Sequence, residues 1–115
     1  MNDISHLRSI IEQYSKHGWT LRRANVTPAT RAAWASEPDA IEPEVLINES
    51  ENEALWFSRR SHPDHEAWEL RRLSGSPFAL VAVLEDSLTD EDREAVLEAT
   101  EKRMFDGLHP SPTFH

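Results

Sequence analysis

The segment WFSRRSHPDHEAW, residues 56–68, places His62 and His65 three positions apart with Asp64 between them. Imidazole nitrogens and carboxylate oxygens are ligands for zinc, and the same groups move protons in catalysis. A catalytic zinc site needs a third protein ligand and further partners that orient the ligands. The other four histidines are candidates by residue type alone. We therefore predict no metal and no cofactor at this segment.

The tripeptide HPD, residues 62–64, follows the basic pair Arg59-Arg60 and resembles the signature of J-domains. That resemblance implies a co-chaperone in which the tripeptide lies in a loop after a long basic helix. The flanking segments favour strands instead, because both are rich in aromatic residues and bounded by turn residues. We therefore interpret residues 62–65 as the turn of a β-hairpin, where proline presets φ and aspartate bonds to nearby backbone.

A tight turn at these positions predicts the register of the hairpin. Phe57 would lie opposite Leu70, and Trp56 would lie opposite Arg71. One face of the hairpin would then carry Leu55, Phe57, Trp68 and Leu70. Trp56 would lie on the other face together with Leu73, so these two residues are the predicted interface with a partner protein or a second copy.

Arginine pairs recur at positions 22–23, 59–60 and 71–72. Adjacent residues of a strand face opposite sides of the sheet, so each pair is expected to place one guanidinium on each face. Arg60, Arg71 and either Arg22 or Arg23 could then form a cluster that binds a phosphate or a carboxylate. The alternative is that these arginines pair with acidic side chains or stack on tryptophans, and only solvate the sheet.

Composition excludes several classes of protein. The chain has 115 residues, 38% of them hydrophobic and 29% charged, which suits one globular domain. Without cysteine it has no disulfide framework, thiolate zinc site or thiol nucleophile. The net charge of -9 disfavours binding to nucleic acid or an anionic membrane. No membrane-length apolar run and no secretory signal are present, so we expect a cytoplasmic protein.

Few residues indicate catalysis. The glycines lie where elements end, so the chain has no phosphate-binding glycine-rich loop and no dinucleotide motif. No serine occurs in a nucleophile-elbow pattern. The acidic pair Glu85-Asp86, after an apolar strand, is the most credible candidate for acid–base chemistry, although such a pair commonly just precedes a helix. We therefore favour a protein that is not an enzyme.

Local signals predict the secondary structure. Apolar residues at helical spacing predict a helix over about 4–17, which Gly18 ends. Thr27 caps a short second helix with proline at its first position, and Thr89 caps a last helix that ends at Gly107. The predicted strands are residues 19–26, 45–48, 54–60, 67–73 and 78–84.

The order of these elements, α-β-α-β-β-β-β-α, predicts a two-layer α+β sandwich with a largely antiparallel five-stranded sheet. The domain is expected to span 1–107, with a flexible C-terminal tail at 108–115. The segment FALVAVL, residues 78–84, is the most apolar and is predicted to be a central strand buried on both faces.

Two functions remain open at this level. Helices 1 and 3 can cover one face of the sheet, but the short second helix is too small to cover the other face fully. The expected function is therefore self-association or protein binding through the surface around Trp56 and Leu73. The alternative is a domain, conceivably an enzyme, that binds a small ligand or anion through Arg22, Arg60 and Arg71.

Overall fold

The computed structural model describes residues 4–36, 44–73 and 78–106. In these ranges, three helices and five strands follow in the order α1 (Ile4–Lys16), β1 (Thr20–Val26), α2 (Pro28–Ala35), β2 (Leu46–Glu49), β3 (Ala54–His62), β4 (His65–Arg72), β5 (Ala79–Glu85) and α3 (Asp90–Asp106). The sheet order is β2-β1-β3-β4-β5, in which β1 and β2 are parallel and the other neighbours antiparallel. The predicted α+β class, element order and largely antiparallel sheet are confirmed.

Short-range interactions set the ends of the helices. Gly18 has a φ of 84°, a left-handed conformation that glycine adopts without a Cβ clash, and it follows α1. The Oγ1 of Thr27 accepts a hydrogen bond from the N–H of Thr30 at 3.1 Å, and a proline begins α2. The Oγ1 of Thr89 accepts from the N–H of Asp92 at 3.1 Å. Both predicted capping threonines are confirmed.

The helices cover both faces of the sheet, which differs from the predicted two-layer arrangement. Alternate side chains of β3 enter two separate cores. Leu55 and Phe57 pack with α1 and α2, whereas Trp56 packs with α3. Helices α1 and α3, expected to share a face, therefore lie on opposite faces. The apolar stripe of a helix predicts that it packs on a sheet but does not specify on which face. We refer to them as the α1–α2 face and the α3 face.

A β-bulge at Ser61 changes the predicted hairpin register by one residue. The two histidines of the turn pair with each other as predicted, but beyond the bulge Trp56 lies opposite Leu70 instead of Arg71. When the register shifts by one residue, each side chain of a strand shares its face with the other alternate set of side chains on the partner strand. Trp68 and Leu70, predicted to face away from Trp56, therefore share the α3 core with it.

Strand β5 is an edge strand and not the predicted central strand. Within the described ranges it pairs with β4 alone. Its residues Leu80, Ala82 and Leu84 contact the core beneath α3. On the opposite face, 52% of Val81 and 57% of Val83 are exposed. The apolar sequence predicts burial on both faces, whereas the structure covers one.

The predicted tail at 108–115 lies outside the described residues. Of the helices that the structure describes, none combines the length and the apolar character needed to cross a membrane.

Candidate functional site

Trp56 and Leu73, the predicted interface residues, are buried within the chain itself. Trp56 is 0% exposed and Leu73 is 9% exposed. The Nε1–H of Trp56 donates to the Oε2 of Glu101 in α3 at 2.7 Å, and Leu73 belongs to the core of the opposite face. Contrary to the prediction, neither side chain is available to a partner, because α3 covers Trp56 and the core of the α1–α2 face encloses Leu73.

A β-bulge at Arg22 brings two adjacent arginines to the α3 face. The register between β1 and β3 shifts by one residue between Leu21 and Arg23, so Arg22 is the additional residue of β1. The Cζ atoms of Arg22 and Arg23 lie 4.9 and 5.8 Å from the centroid of the Trp68 ring. The expectation of one guanidinium on each face is therefore wrong for this pair, since a bulge interrupts the alternation of side chains.

Glu66 connects two of the three predicted ligand-binding arginines. Its Oε2 lies 4.0 Å from Nη1 of Arg22 and 3.9 Å from Nη2 of Arg60. Its Oε1 lies 3.3 Å from Nη1 of Arg93 in α3. Arg71 does not join this cluster, because it pairs with a residue of the α1–α2 core and faces the other side of the sheet.

Further carboxylates act as counter-ions for the same group of arginines. Nη1 of Arg60 donates to both carboxylate oxygens of Asp86 at 2.8 Å, and this hydrogen bond raises the pKa of Arg60. Arg23 donates to Glu94 at 2.9 Å, which raises the pKa of Arg23 and lowers that of Glu94. The arginines of the α3 face therefore already have resident anionic partners.

A cleft of about 820 Å³ opens beside Arg22, Arg60 and Glu66. It is lined by side chains of α1, β1 and β3, among them Glu12, and Glu44 also borders it. The charged groups of the cleft are therefore of both signs. Its lining holds four arginines, Arg8, Arg22, Arg59 and Arg60, against three glutamates, so an anion entering it would meet only a small excess of positive charge.

The histidine segment forms the predicted hairpin turn. The rings of His62 and His65 lie 5.9 Å apart, and Nδ1 of His65 lies 2.8 Å from a carboxylate oxygen of Asp64. Among residues 4–36, 44–73 and 78–106, no three histidine, aspartate or glutamate side chains are grouped to hold a metal ion. Of the acidic pair Glu85-Asp86, the carboxylate of Asp86 accepts from Arg60, and the backbone N–H of Asp86 donates to the carbonyl of Asp64 at 2.9 Å.

Among the described residues, the backbone of β5 pairs with another strand on one side only. The N–H of Arg72 donates to the carbonyl of Phe78, and the N–H of Asp86 donates to that of Asp64, both at 2.9 Å. Successive residues of a strand direct their backbone groups to opposite sides, so the even-numbered residues of β5 face β4. The N–H and C=O groups that point away from β4 belong to Ala79, Val81, Val83 and Glu85.

Exposed apolar side chains accompany these outward backbone groups. Val81 and Val83 lie on the α1–α2 face but do not belong to the core that α1 and α2 cover. Edge strands usually carry charged residues, proline or bulges that prevent pairing with other chains, and residues 79–84 have neither charge nor proline. We define the β5 edge as the outward backbone groups of β5 together with the side chains of Val81 and Val83.

The opposite edge of the sheet also has an exposed apolar side chain, Leu46 at 51%, but it is shorter and more polar. Strand β2 has four residues, and two of them, Asn48 and Glu49, are polar. Glu49 also lies 3.2 Å from Nη1 of Arg31. A short strand with polar and charged side chains resists pairing with another chain. The β5 edge is therefore the better surface of the two for binding a strand.

Val81 and Val83 are predicted from the sequence to lie in the interior of the sheet. The segment FALVAVL is apolar at every position, whereas a strand covered on one face requires only alternate apolar residues. This excess of apolar residues is the signal that a second face of the strand is also buried. Two locations satisfy that signal, a central strand and an edge strand whose second face binds another molecule. The order of strands distinguishes them, and it becomes known only from the structure.

No protein-family model matches the chain, and no curated protein or solved structure matches it. The function is therefore inferred from the geometry of the β5 edge alone.

Proposed function

We propose that this protein acts by binding a β-strand of another polypeptide chain at the β5 edge, and not by catalysis. The observation that supports this function is a seven-residue strand, apolar over residues 79–84, whose outward backbone groups accompany two exposed valines. An added strand bonds to such an edge through its main chain, and its alternate side chains provide specificity. The cytoplasmic location remains a prediction from the sequence.

The expected energy of such a complex is moderate. Full burial of one exposed valine contributes about 1.5–3 kcal/mol, so covering the two half-exposed valines contributes about the same amount. Each main-chain hydrogen bond adds a net ~1 kcal/mol. Association itself opposes binding through lost translational and rotational freedom. We therefore expect dissociation constants on the order of micromolar.

The proposal is tested with a fluorescent peptide of residues 78–86, flanked by lysines for solubility. Wild-type protein is expected to bind it, and Val81→Lys is expected to weaken binding about tenfold or more, because a lysine on an edge strand opposes pairing. Fluorescence anisotropy measures the dissociation constant in each case.

The matched control is Val96→Lys. Val96 is a valine on α3 with 36% of its surface exposed, so the same substitution adds the same charge away from β5. This variant is expected to bind the peptide as the wild type does. Equal loss of binding in the two variants, or no binding by the wild type, would contradict the proposal.

Anion binding, the second candidate, has one observation in its favour. The guanidiniums of Arg22 and Arg60 lie within 4.0 Å of the same carboxylate. That carboxylate belongs to Glu66, so a bound anion would compete with a resident one, and Arg71 lies on the other face. Strand binding is therefore the better-supported function.

A further inference from the structure

We infer that the strand bound at the β5 edge is β5 of a second copy of this chain, paired antiparallel about a two-fold axis at Ala82. The inference rests on the proposed function and names its partner. The two five-stranded sheets would join into one continuous sheet of ten strands. Such an interface uses the same surface of both copies, as two-fold dimers require.

The position of the axis follows from the length of β5. Ala82 is the middle residue of Ala79–Glu85, so an axis at this residue pairs the whole strand with its counterpart. Val81 then lies opposite Val83 of the second copy. Both residues direct their backbone groups outward, so they can exchange two N–H···O=C hydrogen bonds. The four valines of the dimer would form one apolar patch on the α1–α2 face.

Complementary charges lie at the two ends of this patch. Arg71 pairs with Ala79 across β4 and β5, and in the joined sheet Glu85 of the second copy lies on the other side of Ala79. All three side chains share one face. Two strand spacings separate the Cα atoms of Arg71 and the second Glu85 by about 10 Å, a distance that these long side chains span above the alanine methyl group.

The present contacts leave both charged groups able to form this pair. Nη1 of Arg71 donates to the carbonyl of Arg72 at 2.6 Å, and the guanidinium retains further N–H donors. The exposed Glu85 carboxylate forms no ion pair with residues 4–36, 44–73 or 78–106. The two-fold axis generates the Arg71–Glu85 pair twice, once at each end of the valine patch.

Electrostatic repulsion between whole copies does not prevent this arrangement. The net charge of -9 acts mainly over distances longer than a hydrogen bond, and physiological salt screens it beyond about 8 Å. At the interface itself, apolar residues face apolar residues and Arg71 faces Glu85. An interface of one strand from each copy is smaller than the ~1,600 Å² of a standard complex, so a weak, concentration-dependent dimer is expected.

Sedimentation of the full chain at concentrations on the order of tens of micromolar tests the inference. Wild-type protein is expected to form a species near twice 13.2 kDa. Arg71→Glu and Glu85→Arg each place like charges at both ends of the interface. Each change alone is expected to raise the dissociation constant of the dimer about tenfold.

An equimolar mixture of the two charge-reversed variants provides the decisive comparison. In the mixed dimer each end again carries opposite charges, so the variants are expected to associate with each other as strongly as the wild type does with itself. Fluorescent labelling of one variant makes the mixed dimer visible in the sedimentation profile. Far-ultraviolet circular dichroism of each variant confirms that it is folded.

The outcomes separate this inference from the proposed function. A wild type that remains monomeric, or single variants that dimerise as well as the wild type, would overturn pairing with a second copy. If the monomeric wild type nevertheless binds the peptide of residues 78–86, and the Val81→Lys variant does not, the proposed function stands without the inference. If neither association occurs, both fail.

Discussion

Replacing Trp56 by alanine is expected to lower the free energy of unfolding by about 3–5 kcal/mol while leaving association at the β5 edge intact. Trp56 is fully buried, its ring lies 6.1 Å from that of Trp68 in an edge-to-face arrangement, and its Nε1–H donates to Glu101. Alanine would leave a large cavity beneath α3 and remove this hydrogen bond. Urea denaturation measures the loss of stability.

Trp19→Ala is the matched control for this change. Trp19 is only half-buried, and one face of its ring lies 4.6 Å from the guanidinium carbon of Arg59. Its removal is therefore expected to cost clearly less stability than removal of Trp56. If Trp56→Ala kept the wild-type denaturation midpoint but abolished association, Trp56 would lie in an interface and the described burial would be incorrect.

Tyr14 is expected to ionise well above pH ~10, the ordinary pKa of tyrosine. Burial raises the pKa of Tyr14, and the hydrogen bond that its hydroxyl donates to Glu69 raises it further, whereas Arg71 lowers it. The folded state thus favours the protonated phenol. Its stabilising contribution is complete below pH ~10 and declines as the pH rises above that value, since the unfolded chain then ionises first.

Tyr14 is the single tyrosine of the chain, so phenolate absorbance in an alkaline titration reports on this residue alone. Glu69→Gln is expected to lower the titration midpoint, because it removes the charged acceptor of the hydroxyl. Glu85→Gln, an exposed position on β5, is expected to leave the midpoint unchanged. A native protein that titrates at the same pH as the urea-unfolded chain would show that the hydrogen bond from Tyr14 to Glu69 does not form.

The elements themselves are predictable from the sequence because their ends depend on nearby residues. Gly18 permits a left-handed backbone, and Thr27 and Thr89 each accept a hydrogen bond from a backbone N–H three positions later. These interactions need no knowledge of the tertiary structure. The predicted helices and strands consequently agree with the observed ones to within about two residues at most ends, the usual uncertainty of such boundaries.

The faces of the sheet are less predictable, because two β-bulges change the register. The additional residues, Arg22 and Ser61, are neither glycine nor proline, and no local signal marks them. Each bulge alters which side chains share a face. The predicted grouping of Leu73 with Trp56 and that of Arg71 with Arg60 both fail because of the shift at Ser61, whereas Trp56 is buried because α3 covers its face.

The sequence marks the segment of the candidate site as unusual, but it does not show where in the sheet that segment lies. Residues 78–84 are apolar at both odd and even positions. This pattern is expected of a central strand and equally of an edge strand that binds a partner. Val81 and Val83 become candidates only when the strand order places β5 at the edge and α3 on one side of it. Strand order depends on contacts between distant parts of the chain, and no single segment encodes it.

Amide hydrogen exchange in β5 tests the central claim, that the β5 edge pairs with another strand, most directly. The N–H groups of Leu80, Ala82 and Leu84 face β4, so they are expected to exchange slowly at every protein concentration. The N–H groups of Val81 and Val83 point outward and are expected to exchange rapidly in dilute solution. Slow exchange of these two amides at high concentration, or with the peptide of residues 78–86, would agree with strand pairing at the β5 edge. Rapid exchange of both amides under all of these conditions would contradict it.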